Sequence, residues 1–200
     1  MKKSLFLGIL IGLIAPVQAT YYEITTNIYT PGFTLQTGDS LYMTNGGFDS
    51  LNLAGESTAI IEGTSILEEG LGGIWYLDMF GSSNLNMSGG EVHELNPHND
   101  ATIFLSGEII QRLKSSQLAW KTINEQLVWN PHITIECLDH FHNETTNVLT
   151  GHWLDSTPFS IQLIDVENYS PAIENIQFIP EPMTILLLGF GGLLLRSRKR

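Results

Sequence analysis

The side chains best able to do chemistry lie close together in one segment, from Cys137 to His142, which reads Cys-Leu-Asp-His-Phe-His. On a strand, residues two positions apart share a face, so His140 and His142 would point the same way. A thiolate and two imidazoles are ligands that zinc or copper accepts. The spacing indicates no fourth ligand, however. The other interpretation is a buried cysteine followed by solvent-exposed histidines, and on balance we predict no metal site and no other cofactor.

Cys137 is also the single cysteine of the chain, so it has no disulfide partner within it. A catalytic thiol needs a base held beside it and donors that stabilise an oxyanion. The sequence identifies neither of these. We therefore expect Cys137 to be a buried, unreactive side chain.

Carboxylates and tryptophans are the other candidates for a functional site. Glycoside hydrolysis uses a pair of carboxylates, and four are near one another in the sequence: Glu91, Glu94, Asp100 and Glu108. A basic residue that would neutralise a uronate is missing from this region, so a solvated acidic face is the simpler interpretation. Four tryptophans can either stack on sugar rings or pack in the core: Trp75, Trp120, Trp129 and Trp153.

The charge is distributed unevenly along the chain. Of the nine Lys and Arg residues, only Arg112, Lys114 and Lys121 lie between Thr20 and Pro182, whereas all 21 acidic residues fall there. That stretch therefore carries a net charge of −18 with histidine neutral. Such a charge repels nucleic acid and anionic membranes, so we expect no nucleic-acid partner.

The elements that must position these residues are strands. Short segments alternate apolar and polar residues with a period of two, as in Leu51-x-Leu53, Ile103-x-Leu105 and Ile133-x-Ile135, and Gly, Asn, Asp and Ser separate them. The pattern predicts an all-β fold.

An internal repeat refines this prediction. Phe48 and Ile66 are 18 positions apart, Ile74 and Val92 are 18 apart, and Val92 and Ile109 are 17 apart, with residues 67–73 as an inserted loop. Such a unit cannot bury its apolar face alone, so copies must stack. We predict a short parallel β-solenoid of about three coils of 17–18 residues. The alternative is an antiparallel sandwich whose strands merely look alike.

The pattern changes after residue 110. Residues 111–121 contain all the basic residues of the central stretch and are expected to form a short helix or a crossing loop. Beyond them, Ile133 to Cys137, Val148 to Trp153 and Phe159 to Leu163 predict three strands of a small antiparallel β cap. Such a cap would cover the last coil and its adhesive edge.

The N-terminus has the features of a secretory signal peptide. Lys2 and Lys3 precede an apolar run, and Val17-Gln18-Ala19 supplies small residues for cleavage between Ala19 and Thr20. A retained membrane anchor is the alternative, although the apolar run is short for a span of about 20 residues.

The C-terminal segment has three parts in order, which are Pro180-Glu181-Pro182, an apolar run from Met183 to Leu195, and a basic end with Arg196, Arg198, Lys199 and Arg200. The prolines keep the backbone extended, as a processing enzyme requires. As a hydrophobic helix, the apolar run would rise only about 20 Å, against roughly 30 Å of hydrocarbon. We expect a transient anchor in the inner membrane with a cytoplasmic basic end. A helix packed in a soluble core is the alternative.

This three-part tail, behind a signal peptide, resembles a PEP-CTERM sorting signal, the substrate of exosortases. The resemblance covers about a tenth of the chain. It implies recognition at Pro180, Glu181 and Pro182 by a membrane-embedded cysteine enzyme of the transpeptidase type, followed by removal of the tail. It also implies delivery to the surface or polysaccharide matrix of a Gram-negative bacterium.

The sequence thus predicts four segments: a signal peptide (1–19), a β-solenoid-like repeat domain (20–110), a crossover with an antiparallel β cap (111–179) and a sorting segment (180–200). The predicted function is that of an exported, non-catalytic protein of the cell surface or exopolysaccharide matrix. Its predicted partners are an exosortase-type enzyme and extracellular polysaccharide. A small secreted polysaccharide hydrolase or lyase is the alternative.

Overall fold

The structure is a computed structural model that describes residues 19–64, 73–123 and 125–180. The predicted signal peptide up to Gln18 lies outside the described residues. So does the tail from Glu181 onward, including the predicted hydrophobic helix. Among the described residues, no helix has the length and hydrophobicity needed to cross a bilayer.

The described residues form an all-β fold with one short 3-10 turn at Ala172–Asn175. In chain order the strands are β1 (Tyr21–Ile24), β2 (Tyr29–Thr30), β3 (Phe33–Leu35), β4 (Ser40–Met43), β5 (Gly47–Leu53), β6 (Thr58–Ile61), β7 (Ile74–Met79), β8 (Asn84–Met87), β9 (Glu91–Pro97), β10 (Thr102–Leu105), β11 (Ile109–Ser115), β12 (Trp120–Ile123), β13 (Gln126–Trp129), β14 (Ile133–Asn143), β15 (Val148–Trp153), β16 (Pro158–Asp165) and β17 (Ile176–Pro180).

Most strands belong to one large sheet that contains two runs of parallel strands, and the chain alternates between them. The first stack pairs β1, β4, β6, β8, β10, β14 and β17 in that order. The second stack pairs β2 and β3 with β5, followed by β7, β9, β11 and β16. This parallel pairing excludes the antiparallel sandwich.

Paired residues keep a regular spacing in the sequence. Leu77 pairs with Leu95 and Leu95 with Leu113, so each step is 18 positions. Val92 pairs with Ile110, which makes this step 18 positions and not the 17 predicted from Ile109. Leu51 pairs with Leu77, 26 positions away, and the predicted insertion falls in this longer step. The pairing also continues on both sides of the three repeats visible in the sequence.

Two inward columns of the first stack run along its whole length. A strand exposes alternate residues to the two faces of a sheet, so every second residue points into the core. One column is Tyr22, Leu41, Ala59, Leu85, Ile103, Ile133 and Ile176. The other is Ile24, Met43, Ile61, Met87, Leu105, Ile135 and Phe178. Facing them are Phe33, Leu51, Leu77, Leu95, Leu113 and Leu163 of the second stack.

One corner between the stacks repeats a left-handed backbone conformation. Gly55, Gly81 and Asn99 have φ angles of 64°, 69° and 56°. A Cβ atom at Gly55 would stand 1.8 Å from the Thr37 hydroxyl oxygen, so Thr37 would have to shift to admit a side chain. Asn is one of the few other residues that adopt this conformation readily. The corner therefore favours Gly or Asn at these three positions. Their spacing along the chain is the same as that of the paired residues Leu51, Leu77 and Leu95.

After residue 110 the three predicted antiparallel strands are present as β14, β15 and β16, but two features differ from the prediction. Residues 111–115, expected as a helix or loop, belong to β11 and continue the second stack. The predicted domain boundary at residue 110 thus falls inside a strand. In addition, β15 pairs antiparallel with its two neighbours, β14 and β16. These neighbours also belong to the parallel stacks, because β14 pairs parallel with β10, and β16 pairs parallel with β11. This antiparallel unit is continuous with the parallel stacks.

A carboxyl group is buried at the entrance to β11. Glu108 is 2 % exposed, and its Oε2 accepts hydrogen bonds from the backbone amides of Ser106 (3.0 Å) and Gly107 (2.7 Å). Its Oε1 is buried without a partner among the described residues. Burial raises the pKa of Glu108 from 4.5 to about 8, against the opposing effect of the backbone hydrogen bonds.

Glu108→Gln should flatten the pH dependence of stability. Because the folded protein holds this proton up to a higher pH than the unfolded chain, Glu108 makes stability fall as pH rises from 4.5 to about 8. The slope for one proton is at most about 1.4 kcal/mol per pH unit. Urea unfolding at several pH values measures it, with Glu56→Gln, an exposed carboxylate, as control. Equal slopes in wild type and Glu108→Gln would contradict the buried neutral carboxyl.

Candidate functional site

A small hairpin stands apart from the large sheet. Its strands, β12 and β13, pair only with each other among the described residues, with Trp120 opposite Trp129. The four residues of β13 are all exposed, and so is Trp120. Large exposed apolar side chains of this kind mark interaction surfaces more often than folding requirements.

Both tryptophans of the hairpin are held by one residue. The Nε1–H of Trp120 donates to the Glu174 carboxylate (2.9 Å), and the Nε1–H of Trp129 donates to the Glu174 backbone carbonyl (2.8 Å). The two residues nevertheless remain 45 % and 43 % exposed. An indole whose N–H is hydrogen-bonded and which stays partly exposed is held in one orientation for stacking.

Beside the hairpin lies a cleft of about 340 Å³. Three apolar or aromatic and seven polar residues line it, so it is more polar than most small-molecule sites. The apolar part is formed by Leu118, Trp120 and Tyr169. The polar part is formed by Asn99, Asp100, Ser116, Gln117, Lys121, Asn130 and His132.

The polar floor of the cleft is held in place by hydrogen bonds. Gln117 is 1 % exposed, and its side-chain amide donates to the carbonyls of Ala101 (2.7 Å) and Asn99 (3.3 Å). His132 is 7 % exposed, and burial lowers its pKa, although Asp100 acts in the opposite direction. A neutral imidazole has one donor and one acceptor nitrogen. Asn130 is within hydrogen-bond reach of it at 3.4 Å.

The other two tryptophans have different surroundings. Trp153 is 2 % exposed and packs on Phe159 in the core. Trp75 is half-buried and stacks on His93, with ring centroids 4.0 Å apart. Of the four tryptophans considered for sugar stacking, Trp120 and Trp129 are therefore the most exposed.

The segment around Cys137 does not assemble as a ligand set. Cys137 is 1 % exposed, and burial, assisted by Asp139, raises the pKa of its thiol. A register shift separates Cys137 from Asp139 along β14. Within the described residues, no group of three or more His, Cys, Asp and Glu side chains is placed to hold a metal ion.

The two histidines of this segment have separate partners. The ring of His140 stacks on Phe178 at 3.6 Å, and His142 Nε2 lies 2.8 Å from the Asn147 side-chain oxygen. A third imidazole that the sequence did not single out, His152, pairs with Asp139 at 2.9 Å. The His152–Asp139 pair joins β15 to β14, whereas the His140–Phe178 stack joins β14 to β17.

The four carboxylates considered for hydrolysis have different partners and surroundings. Glu94 forms an ion pair with Arg112 (3.1 Å), and Glu91 accepts from the Gln111 amide (2.8 Å). Glu108 is buried as described above. Only Asp100 lies in the cleft. The pairing of Glu94 with Arg112 was missed because these residues are 18 positions apart and become neighbours only through the register of β9 and β11.

The predicted processing sites lie at the ends of the described chain. Pro180 is the last residue of β17, whereas Glu181, Pro182 and the basic residues Arg196, Arg198, Lys199 and Arg200 lie outside the described residues. Ala19 and Thr20 directly precede β1, and the Thr20 amide donates to the Asp39 carboxylate (2.9 Å).

The cleft itself was not predicted. Trp120 and Trp129 were recognised as candidates, but Gln117, His132, Tyr169 and Glu174 were not. These four residues come from three separate parts of the chain, at residues 117, 132 and 169–174, and no motif links them. No family model matches the chain, and no curated protein or solved structure matches it either. The site therefore has to be interpreted from its own geometry.

Cys137 should react slowly with thiol reagents in the folded protein. The reactive species is the thiolate, and here burial both raises the pKa and blocks access. We expect labelling by an aromatic disulfide at pH 8 to be at least about 100-fold slower in buffer than in 6 M guanidinium. Equal rates under the two conditions would show that the thiol is accessible.

Proposed function

We propose that this chain is an exported, non-catalytic protein of the cell surface or exopolysaccharide matrix of a Gram-negative bacterium. Its sorting signal would be the three-part tail that resembles a PEP-CTERM segment, and an exosortase-type enzyme would read Pro180, Glu181 and Pro182. The position of Pro180 at the end of β17 supports this proposal. The described part of the chain ends at Pro180, the residue at which the proposed signal would begin.

We further infer that the alternation between two parallel stacks is a β-solenoid with its β14–β15–β16 unit as a small antiparallel cap. The 18-residue step and the repeated left-handed corner support this assignment. A solenoid grows by adding coils, so it gives an extended surface from a short chain. Such a surface suits a protein whose partner is a polymer.

The observation that carries a binding function is the aromatic cleft. A saccharide offers apolar ring faces together with hydroxyl groups, and the cleft supplies an oriented indole together with amide, carboxylate and imidazole groups. The negative charge of the chain disfavours polyanionic sugars. We therefore propose a neutral or amine-bearing saccharide unit of the matrix polymer as the ligand.

Hydrolysis or lysis of the polymer is the alternative function. Hydrolysis by the usual route needs two carboxylates flanking the bond. The lining of the cleft contains one, Asp100, while Glu91 and Glu94 are engaged elsewhere. This composition favours binding over turnover. Release of oligosaccharides from the host polymer by residues 20–180 would support the alternative.

Trp120→Ala should weaken saccharide binding about tenfold, since aromatic stacking contributes up to about 1.5 kcal/mol. The measurement is binding of residues 20–180 to an array of neutral and amine-bearing oligosaccharides and to the host exopolysaccharide. Trp75→Ala is the matched control, because Trp75 does not line the cleft. Equal affinities of wild type and Trp120→Ala would remove the cleft as the binding site.

Replacement of Pro180, Glu181 and Pro182 by alanine should leave the precursor uncleaved and abolish its display on the surface. Intact-mass analysis of surface material gives the mature C-terminus. We expect it near Pro182 in the wild type. Surface protein that retains Met183 to Arg200 would contradict the sorting proposal, whatever the cleft binds.

A further inference from the structure

The apolar core is covered along its length but open at both ends. In the first stack, the inward residues of β4, β6, β8, β10 and β14 are at most 3 % exposed. The hydrophobic residues that pack on the core and remain partly exposed are Tyr22, Ile24, Phe33, Ile173 and Phe178. The first three lie in β1 and β3 at one end, and the last two lie in the 3-10 turn and β17 at the other.

The first stack also ends in two unsatisfied edges. Within the described residues, β1 pairs only with β4, and β17 pairs only with β14. An edge strand exposes a row of backbone donors and acceptors, and soluble proteins usually block it with lysine, inward charge or a bulge. β1 has one outward charge, Glu23, and β17 ends at Pro180, but neither strand contains lysine or arginine and the inward residues of both are apolar.

We propose that copies of this chain associate head to tail, with β17 of one copy pairing in parallel with β1 of the next. Every strand of the first stack runs parallel, so a second copy translated along the stack presents its β1 in the correct direction. The inference rests on the proposed function, because removal of the signal peptide and tail would shorten the segments beside both edges.

The register of the stack identifies the pairs across this junction. Ile176 ends one inward column that begins at Tyr22, and Phe178 ends the other, which begins at Ile24. Pairing Ile176 with Tyr22 and Phe178 with Ile24 therefore continues both columns and covers the partly exposed Tyr22, Ile24 and Phe178, whereas Ile176 is already buried. The same register sets the outward Gln177 beside Glu23, so that an amide can donate to a carboxylate.

A second copy fits these edges better than a foreign strand, because each end continues the side-chain pattern of the other. The two surfaces differ, so the contact is heterologous and does not close on itself. It generates an open filament. The first stack contributes seven strands from the described residues, which gives a rise of about 34 Å per copy at roughly 4.8 Å per strand.

A disulfide between copies tests the register. Glu23→Cys and Gln177→Cys lie at opposite ends of one chain but would face each other across the junction, at a strand spacing that a disulfide accepts. Residues 20–180 include the whole apolar core of the described part of the chain, and cooperative thermal unfolding verifies each variant. We expect mild oxidation of the double variant to give a ladder of covalent multimers on non-reducing gels.

Two controls make this result specific. The offset pair Tyr21→Cys with Gln177→Cys, two residues out of register, should give a ladder at least tenfold weaker. Each single variant should give none, because the native Cys137 is buried. A ladder of equal strength from the offset pair, or dimers from Gln177→Cys alone, would overturn the proposal. The second outcome would indicate pairing between two β17 edges.

A charge exchange tests the same contact without crosslinking. Gln177→Glu sets a carboxylate beside Glu23, and like charges on adjacent strands repel. We expect the concentration at half-assembly, measured by sedimentation, to rise about tenfold, and the double variant Glu23→Gln with Gln177→Glu to restore it. Wild-type material that stays monomeric up to millimolar concentration would overturn the proposal.

The two proposals fail separately. A chain that is cleaved and displayed on cells but remains monomeric when purified overturns head-to-tail association and leaves sorting intact. If residues 20–180 assemble while the full chain is never processed in cells, the sorting proposal falls and the junction stands.

Discussion

The parallel register between successive strands is the constraint on which the rest of the structure depends. A chain that returns to the same stack every 18 residues places like residues one above another, so the sequence repeat becomes a set of columns. Backbone hydrogen bonds set the spacing, and the inward columns supply the hydrophobic burial. A one-residue slip would turn each apolar set toward solvent, so register and core enforce each other.

The polar pairs of the surface follow from the same register. Asn96 donates to Asp78 (2.8 Å), Arg112 pairs with Glu94, and in each case the partners are 18 positions apart. Asn96 is buried and Glu94 is half-buried, so each contact pairs a polar group that the fold partly removes from water. These contacts supply partners to the Asp78 and Glu94 carboxylates. Asp100 is the carboxylate that lines the cleft.

The cleft arises where the repeat is interrupted. The step from Ile103 to its partner Ile133 is 30 positions, and the additional residues form the β12–β13 hairpin. The hairpin residues do not belong to the inward columns, so they need not alternate between core and solvent. Two of them, Trp120 and Trp129, remain exposed. Function is thus expected where the chain leaves the repeat, because the repeat itself is committed to packing.

The sequence by itself determined the all-β class, the near-18 spacing, the place of the insertion and the burial of Cys137, because period-two alternation and repeated Gly are local patterns. It did not determine the full extent of the parallel pairing, the strand at residues 111–115 or the cleft. Residues 111–115 carry Arg112 and Lys114, whose polarity suggested a helix or loop, but Leu113 and Ser115 complete inward positions of the second stack.

The cleft needed tertiary structure for a different reason. Glu174 reaches Trp120 across 54 positions, and such a contact leaves no periodic trace in the sequence.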